Sequence, residues 1–115
     1  MRRRPACVNL YFDYSGNMEE KQAIRALSAL AQETRLAIFR FLVGCGPEGA
    51  AAGAVGEAMH LAPATLSFHL KELREAGWVC RRTVGRQRIY SPEWSRAEEL
   101  IGFLGENCCR GRAKA

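Results

Sequence analysis

Residues 63–77, Pro-Ala-Thr-Leu-Ser-Phe-His-Leu-Lys-Glu-Leu-Arg-Glu-Ala-Gly, restrict the fold more than any other stretch of the chain. Leu66, Leu70 and Leu73 recur at spacings of four and three, so they share one face of a helix. Pro63 suits the first helical turn, where its missing N–H costs nothing. Gly77 offers the left-handed residue that commonly ends a helix. The opposite face carries Thr65, Ser67, Phe68, Lys71, Arg74 and Glu75, with His69 near its edge. Any amphipathic helix with a solvated polar face would look similar, so the flanking sequence has to decide. Before it, residues 53–60 carry a short helical pattern with Val55 and Met59 four apart, and residues 60–62 make a tight connection. A short helix, a tight turn and a longer helix form a helix-turn-helix, whose second helix enters the major groove. After it, residues 78–90 read as two short strands around a turn at Gly85 and Arg86. This hairpin carries Arg81, Arg82, Arg86 and Arg88, as suits a wing lying along a phosphate backbone. Thr65, Ser67 and His69 are then expected to meet base edges. Lys71, Arg82, Arg86 and Arg88 are expected to complete the DNA-binding set, chiefly at phosphates.

Two separated segments carry a family resemblance. Residues 26–42 (Ala-Leu-Ser-Ala-Leu-Ala-Gln-Glu-Thr-Arg-Leu-Ala-Ile-Phe-Arg-Phe-Leu) and residues 66–79 (Leu-Ser-Phe-His-Leu-Lys-Glu-Leu-Arg-Glu-Ala-Gly-Trp-Val) resemble the ArsR/SmtB family. These are small dimeric winged-helix repressors of bacteria, many of them sensing metals or metalloids. The resemblance extends over residues 18–109. It implies a mainly α fold with a small β-hairpin wing, dimeric through its first and last helices. It also implies a double-stranded operator as partner and transcriptional repression as function.

The bulk properties agree with that expectation. A chain of 115 residues is one domain, and its net charge of +5 suits a polyanionic partner. No apolar run approaches a membrane span, and residues 8–12 are too short for a signal-peptide core, so a cytoplasmic location is expected. The five cysteines should then be mostly reduced, and their odd number argues against a complete set of internal disulfides. Residues 1–17, with Arg2, Arg3 and Arg4 but no sustained period, read as a disordered basic extension. Alternatively, Met18 is the natural first residue. Residues 18–109 form the winged helix-turn-helix with its dimerising helices, and 110–115 a basic tail. Ile24, Leu27 and Leu30 mark a first helix; Leu36, Phe39, Leu42 and Val43 are expected inward on a second. Residues 50–56, rich in alanine and glycine, read as close helix packing or a frayed helix start. Leu100, Ile101, Phe103 and Leu104 form the stripe of the last helix.

Metal chemistry narrows to the C-terminal end. Some arsenic-sensing relatives carry a cysteine pair just before the recognition helix; here that region is Gly-Ala-Ala-Ala-Gly-Ala-Val-Gly-Glu, which holds no such pair. Zinc-sensing relatives place histidines and carboxylates along the last helix, whereas the only histidines here are His60 and His69, so no zinc site is expected. Cys108 and Cys109 are adjacent and flanked by Arg110 and Arg112, whose charge favours thiolates. Paired soft thiolates suit trivalent arsenic or antimony as effector. The pair resembles that of ArsR proteins sensing arsenic beyond the final helix, which typically add a third cysteine absent here. A third ligand is left to Cys7 of a partner chain, Cys45 or a small-molecule thiol, or two thiolates suffice. A redox-sensitive dithiol and a pair with no sensory role stay open. Cys80, on the first wing strand, and Cys45 read as structural. An enzymatic alternative, a thiol-dependent reductase, lacks Cys-x-x-Cys, a phosphate-cradling loop and a histidine near the paired cysteines. A winged helix that binds protein in place of DNA is opposed by the basic wing.

Overall fold

In a computed structural model, residues 18–109 are described, and they form five helices and three strands. The order is α1 (Glu20–Leu30), α2 (Glu33–Cys45), β1 (Ala50–Ala51), α3 (Ala52–Met59), α4 (Pro63–Glu75), β2 (Val79–Val84), β3 (Gln87–Pro92) and α5 (Trp94–Leu104). This is the mainly α winged helix-turn-helix expected from the sequence. The expectations for residues 1–17 and 110–115 lie outside the described residues.

The first helix packs differently from its sequence pattern. Ala23, Ala26 and Ala29 are its buried residues, while Ile24 is 59% and Leu27 44% exposed. An alanine face lets α1 lie close on α2 and α4, and this turns the larger side chains outward. The same correction applies to α2. Ile38, Phe39 and Leu42 are buried there, whereas Leu36 and Val43, expected inward, lie exposed at the borders of that face.

The leucine stripe of α4 behaves as read: Leu66, Leu70 and Leu73 are all buried. Helix α3 crosses it closely, because a Cβ at Gly56 would lie 3.2 Å from Leu66 Cδ2. Gly77, at φ +89°, ends α4. The Trp78 N–H donates to the Leu73 carbonyl at 2.9 Å and the Gly77 N–H to the Arg74 carbonyl at 3.1 Å, the bond pair of a Schellman cap. That cap throws Trp78 directly into the core, where it is 2% exposed. Its Nε1–H donates to the Ala26 carbonyl of α1 at 2.8 Å, and its ring meets Phe39 of α2 edge-on, centroids 5.1 Å apart.

The sheet is antiparallel in the order β1-β3-β2. Val84 pairs with Gln87, so Gly85 and Arg86 form a two-residue turn, with Gly85 at φ +62°. Strand β1 was not foreseen. Two alanines have no strand period and little β-propensity, and they are extended because β3 offers them Tyr90 and Ile89 as partners.

Replacing Trp78 by phenylalanine removes the bond to Ala26 and part of the packed volume. Urea denaturation should register a loss of about 1–3 kcal/mol. An unchanged midpoint would mean that Trp78 does not hold the corner together.

Candidate nucleic-acid interface

The outer face of α4 is presented by the leucine stripe on its other side. Because Leu66, Leu70 and Leu73 are held in the core, Thr65, Ser67, Phe68 and Lys71 are exposed. Lys71 Nζ lies 3.8 Å from Glu75 Oε2, a loose surface pair that leaves the lysine able to meet a phosphate. Arg86 and Arg88 are exposed at and beyond the turn of the wing, as a backbone-tracking role requires.

Two of the expected contacts are placed otherwise. His69 is 9% exposed and belongs to the inward side of α4. Its Nδ1 lies 3.2 Å from Arg35 Nη1, and Arg35 Nε donates to the Ala29 carbonyl at 2.6 Å. Since guanidinium only donates, Nδ1 accepts, and the imidazole is a neutral bracket between α4 and α2 instead of an exposed base reader. Burial pushes its pKa below the ordinary 6.5, Arg35 pushes the same way, and Glu72 partly opposes them. Arg82 is half-buried and donates to Ser91 Oγ at 3.4 Å and to the Glu48 carbonyl at 3.3 Å. It braces the wing, leaving Arg86 and Arg88 as its exposed cations among the expected set.

A further cation of the region carries no local sequence signal. Arg25 of α1 forks onto Glu72 Oε1 at 3.4 Å and Glu75 Oε1 at 3.3 Å, both on α4. Its partners lie 47 and 50 residues away, so only the fold brings them together.

The cysteines divide into two kinds. Cys80 is fully buried on β2, in keeping with a structural role, and is disulfide-bonded. Cys45, Cys108 and Cys109 are free and exposed. The Sγ atoms of Cys108 and Cys109 lie 3.1 Å apart, just beyond α5. The hydrogen bond between the two thiols holds Cys108 above its ordinary pKa, with a smaller push from burial. Arg110 and Arg112, from which a lowering is expected, lie outside the described residues. Among the described residues, no group of three or more His, Cys, Asp and Glu side chains could hold a metal ion.

A core-anchored helix with a free outer face, following a short helix and preceding a basic hairpin, is a winged-helix DNA-binding module. Residues 30–79 match the family described as Helix-turn-helix domain. The chain is 37% identical over 98 residues to YceK, an uncharacterised HTH-type transcriptional regulator of Bacillus subtilis strain 168, covering 83% of this chain and 97% of that one. The chain belongs to the HTH-type transcriptional regulators. HlyU from Vibrio cholerae has a similar structure at 28% identity and a TM-score of 0.62, over 80% of this chain and 99% of HlyU. A homodimeric winged helix-turn-helix DNA-binding domain of Mycobacterium bovis, a possible ArsR-family regulator, shares the fold. It is 23% identical with a TM-score of 0.60, over 88% of this chain and 98% of that one. Membership in a family of regulators removes the thiol-reductase alternative. Among the described residues, no helix is long and apolar enough to cross a membrane.

Replacing Arg86 and Arg88 together by alanine should weaken binding to every duplex. The slope of log affinity against log salt should fall by roughly one to two units, about one per lost phosphate contact. An unchanged slope would show that neither arginine touches the backbone.

The His69 bracket also has a pH signature. Its folded pKa is depressed, so the unfolded chain takes up the proton first as the pH falls. Its contribution to stability is complete above the ordinary 6.5 and is lost as the pH falls from there through the depressed folded value. His69→Asn should flatten that part of the stability–pH curve. A curve identical to wild type would show that the imidazole is not held neutral.

Proposed function

We propose that the chain is a homodimeric ArsR-type repressor that leaves its operator when trivalent arsenic or antimony binds Cys108 and Cys109. For operator recognition, the supporting observation is the exposed face of α4 with Thr65, Ser67 and Lys71, together with exposed Arg86 and Arg88 on the wing. Dimerisation is supported by Ile24 and Leu27 on α1 and by Ile101 and Leu104 on α5, 70% and 63% exposed. These helices pack on each other, so their outward apolar side chains lie on adjoining elements, where a second subunit would cover them. The Mycobacterium bovis relative is described as homodimeric, in keeping with this reading.

The observation that carries the effector assignment is the pair of free, exposed thiols with sulfurs 3.1 Å apart. Arsenous acid condenses with two thiols, losing two waters and retaining one hydroxide on arsenic. Two cysteines of one subunit are enough for this step, and the remaining hydroxide can exchange for a small-molecule thiol. The same short contact favours a second reading, oxidation. Two thiols close to a vicinal disulfide, releasing two protons and giving two electrons to an oxidant such as a peroxide.

For release, the ligand must prefer the DNA-incompetent arrangement, because equal affinity for both arrangements shifts nothing. Arsenite added under reducing conditions to labelled operator should lower affinity roughly 5- to 150-fold, measured by fluorescence anisotropy. Cys108→Ser and Cys109→Ser should each leave operator binding intact and abolish the response. Release from the double serine variant would place the sensor elsewhere; release by peroxide but not by arsenite would establish the redox reading instead.

A further inference from the structure

Phe68 is 55% exposed, an unusual position for a large apolar ring on a helix face that otherwise presents hydroxyls and an ammonium group. It lies within the first two turns of α4, the part of a recognition helix that reaches base edges. Its helical neighbours toward the N-terminus, at i−4 and i−3, are Ala64 and Thr65, both exposed and neither large enough to cover it.

The ring is also held in place. Phe68 and His69 meet edge to face, with centroids 5.3 Å apart and planes at 63°. His69 is fixed through Arg35, and Arg35 through the Ala29 carbonyl. A ring oriented in this way before binding loses little conformational freedom on contact.

Phenylalanine has no donor or acceptor for a base edge or a phosphate. The apolar group that the major groove offers to it is the C5-methyl of a pyrimidine. We propose that Phe68, with the small side chain of Ala64, receives that methyl and is a specificity-determining residue. In unmodified DNA the methyl belongs to thymine; in modified DNA it can belong to 5-methylcytosine. This rests on the operator-binding reading above. Phe68 adds to it a discrimination that hydroxyl groups such as those of Thr65 and Ser67 do not supply, because a hydroxyl can serve any base with a donor or acceptor within reach.

The test uses the full chain and a duplex recovered by selecting random DNA with the wild-type protein. Thymines are replaced one at a time by deoxyuridine, which removes the methyl and leaves the pairing edge unchanged. In a parallel arm, cytosines are replaced one at a time by 5-methylcytosine. Wild type should lose about three- to tenfold in affinity at one uracil position per half-site, or gain as much at one methylated cytosine. Phe68→Ala should be insensitive to the same change while keeping the wild-type salt slope and circular dichroism spectrum. A Phe68-dependent effect in either arm supports the proposal and identifies the source of the methyl. A duplex insensitive in both arms, or a Phe68→Ala variant as sensitive as wild type, overturns it and leaves operator binding standing. Failure to select or bind any duplex would overturn both readings.

Discussion

The fold turns on the burial of one side chain, Trp78. It follows the Schellman cap of α4 and begins the turn into the wing, so its placement fixes both DNA-facing elements. Its indole nitrogen is bonded to α1 through Ala26, and its ring is packed on Phe39 of α2. Its own carbonyl accepts the Glu93 N–H at 2.8 Å, where β3 gives way to α5. A buried indole requires a partner for its N–H, and the carbonyl of a close-packed alanine helix supplies one. The small residues of α1 therefore have a definite role: a larger side chain at Ala26 would push that carbonyl away from the indole.

Much of this was legible in the sequence. The α4 stripe, Gly77 as its terminator and the two-residue turn at Gly85 and Arg86 all follow from local patterns, because each is satisfied within a few residues. Failures occurred where tertiary contact outweighed local pattern. On α1, Ile24 and Leu27 are the hydrophobic signal, yet Ala23, Ala26 and Ala29 are buried, since close helix approach rewards small side chains. Reading hydrophobicity without size selects the wrong face. Strand β1 exists only because β3 has an edge to offer, which no reading of two alanines could supply.

The exposed faces of α4 and the wing were legible in outline for the same reason. Exposure of Thr65, Ser67, Lys71, Arg86 and Arg88 follows from element periodicity. His69 and Arg82 differ because both lie at the boundary of a face, where a single long-range partner decides their orientation. Arg35, distant in sequence, turns His69 inward; Ser91 and the Glu48 carbonyl hold Arg82 down. A polar residue next to a buried stripe is as well placed to brace two helices as to meet a ligand. For Cys108 the nearest partner is another thiol, and the hydrogen bond between the two raises its pKa.

How a signal beyond α5 would reach the DNA follows from what holds α4. On one side, α1 is tied to it by the Arg25 fork onto Glu72 and Glu75. These groups are partly exposed, so the pairs are individually weak and can yield. On the other side, α5 meets the end of α4 through Arg96, 3% exposed and paired with Glu99 at 3.2 Å. The Arg96 guanidinium fills the space where Gly77 has no Cβ, and any larger residue there would collide with it. Both groups of that pair belong to α5, so it is the close packing of the buried guanidinium against Gly77 that resists displacement. The two attachments therefore differ in stiffness. In the proposed dimer, a reorientation of α5 would be transmitted rigidly to the C-terminal end of α4, while the Arg25 pairs give way on the α1 side. The recognition helix would then swing with α5, and half-site spacing would be set by the helix that Cys108 and Cys109 follow.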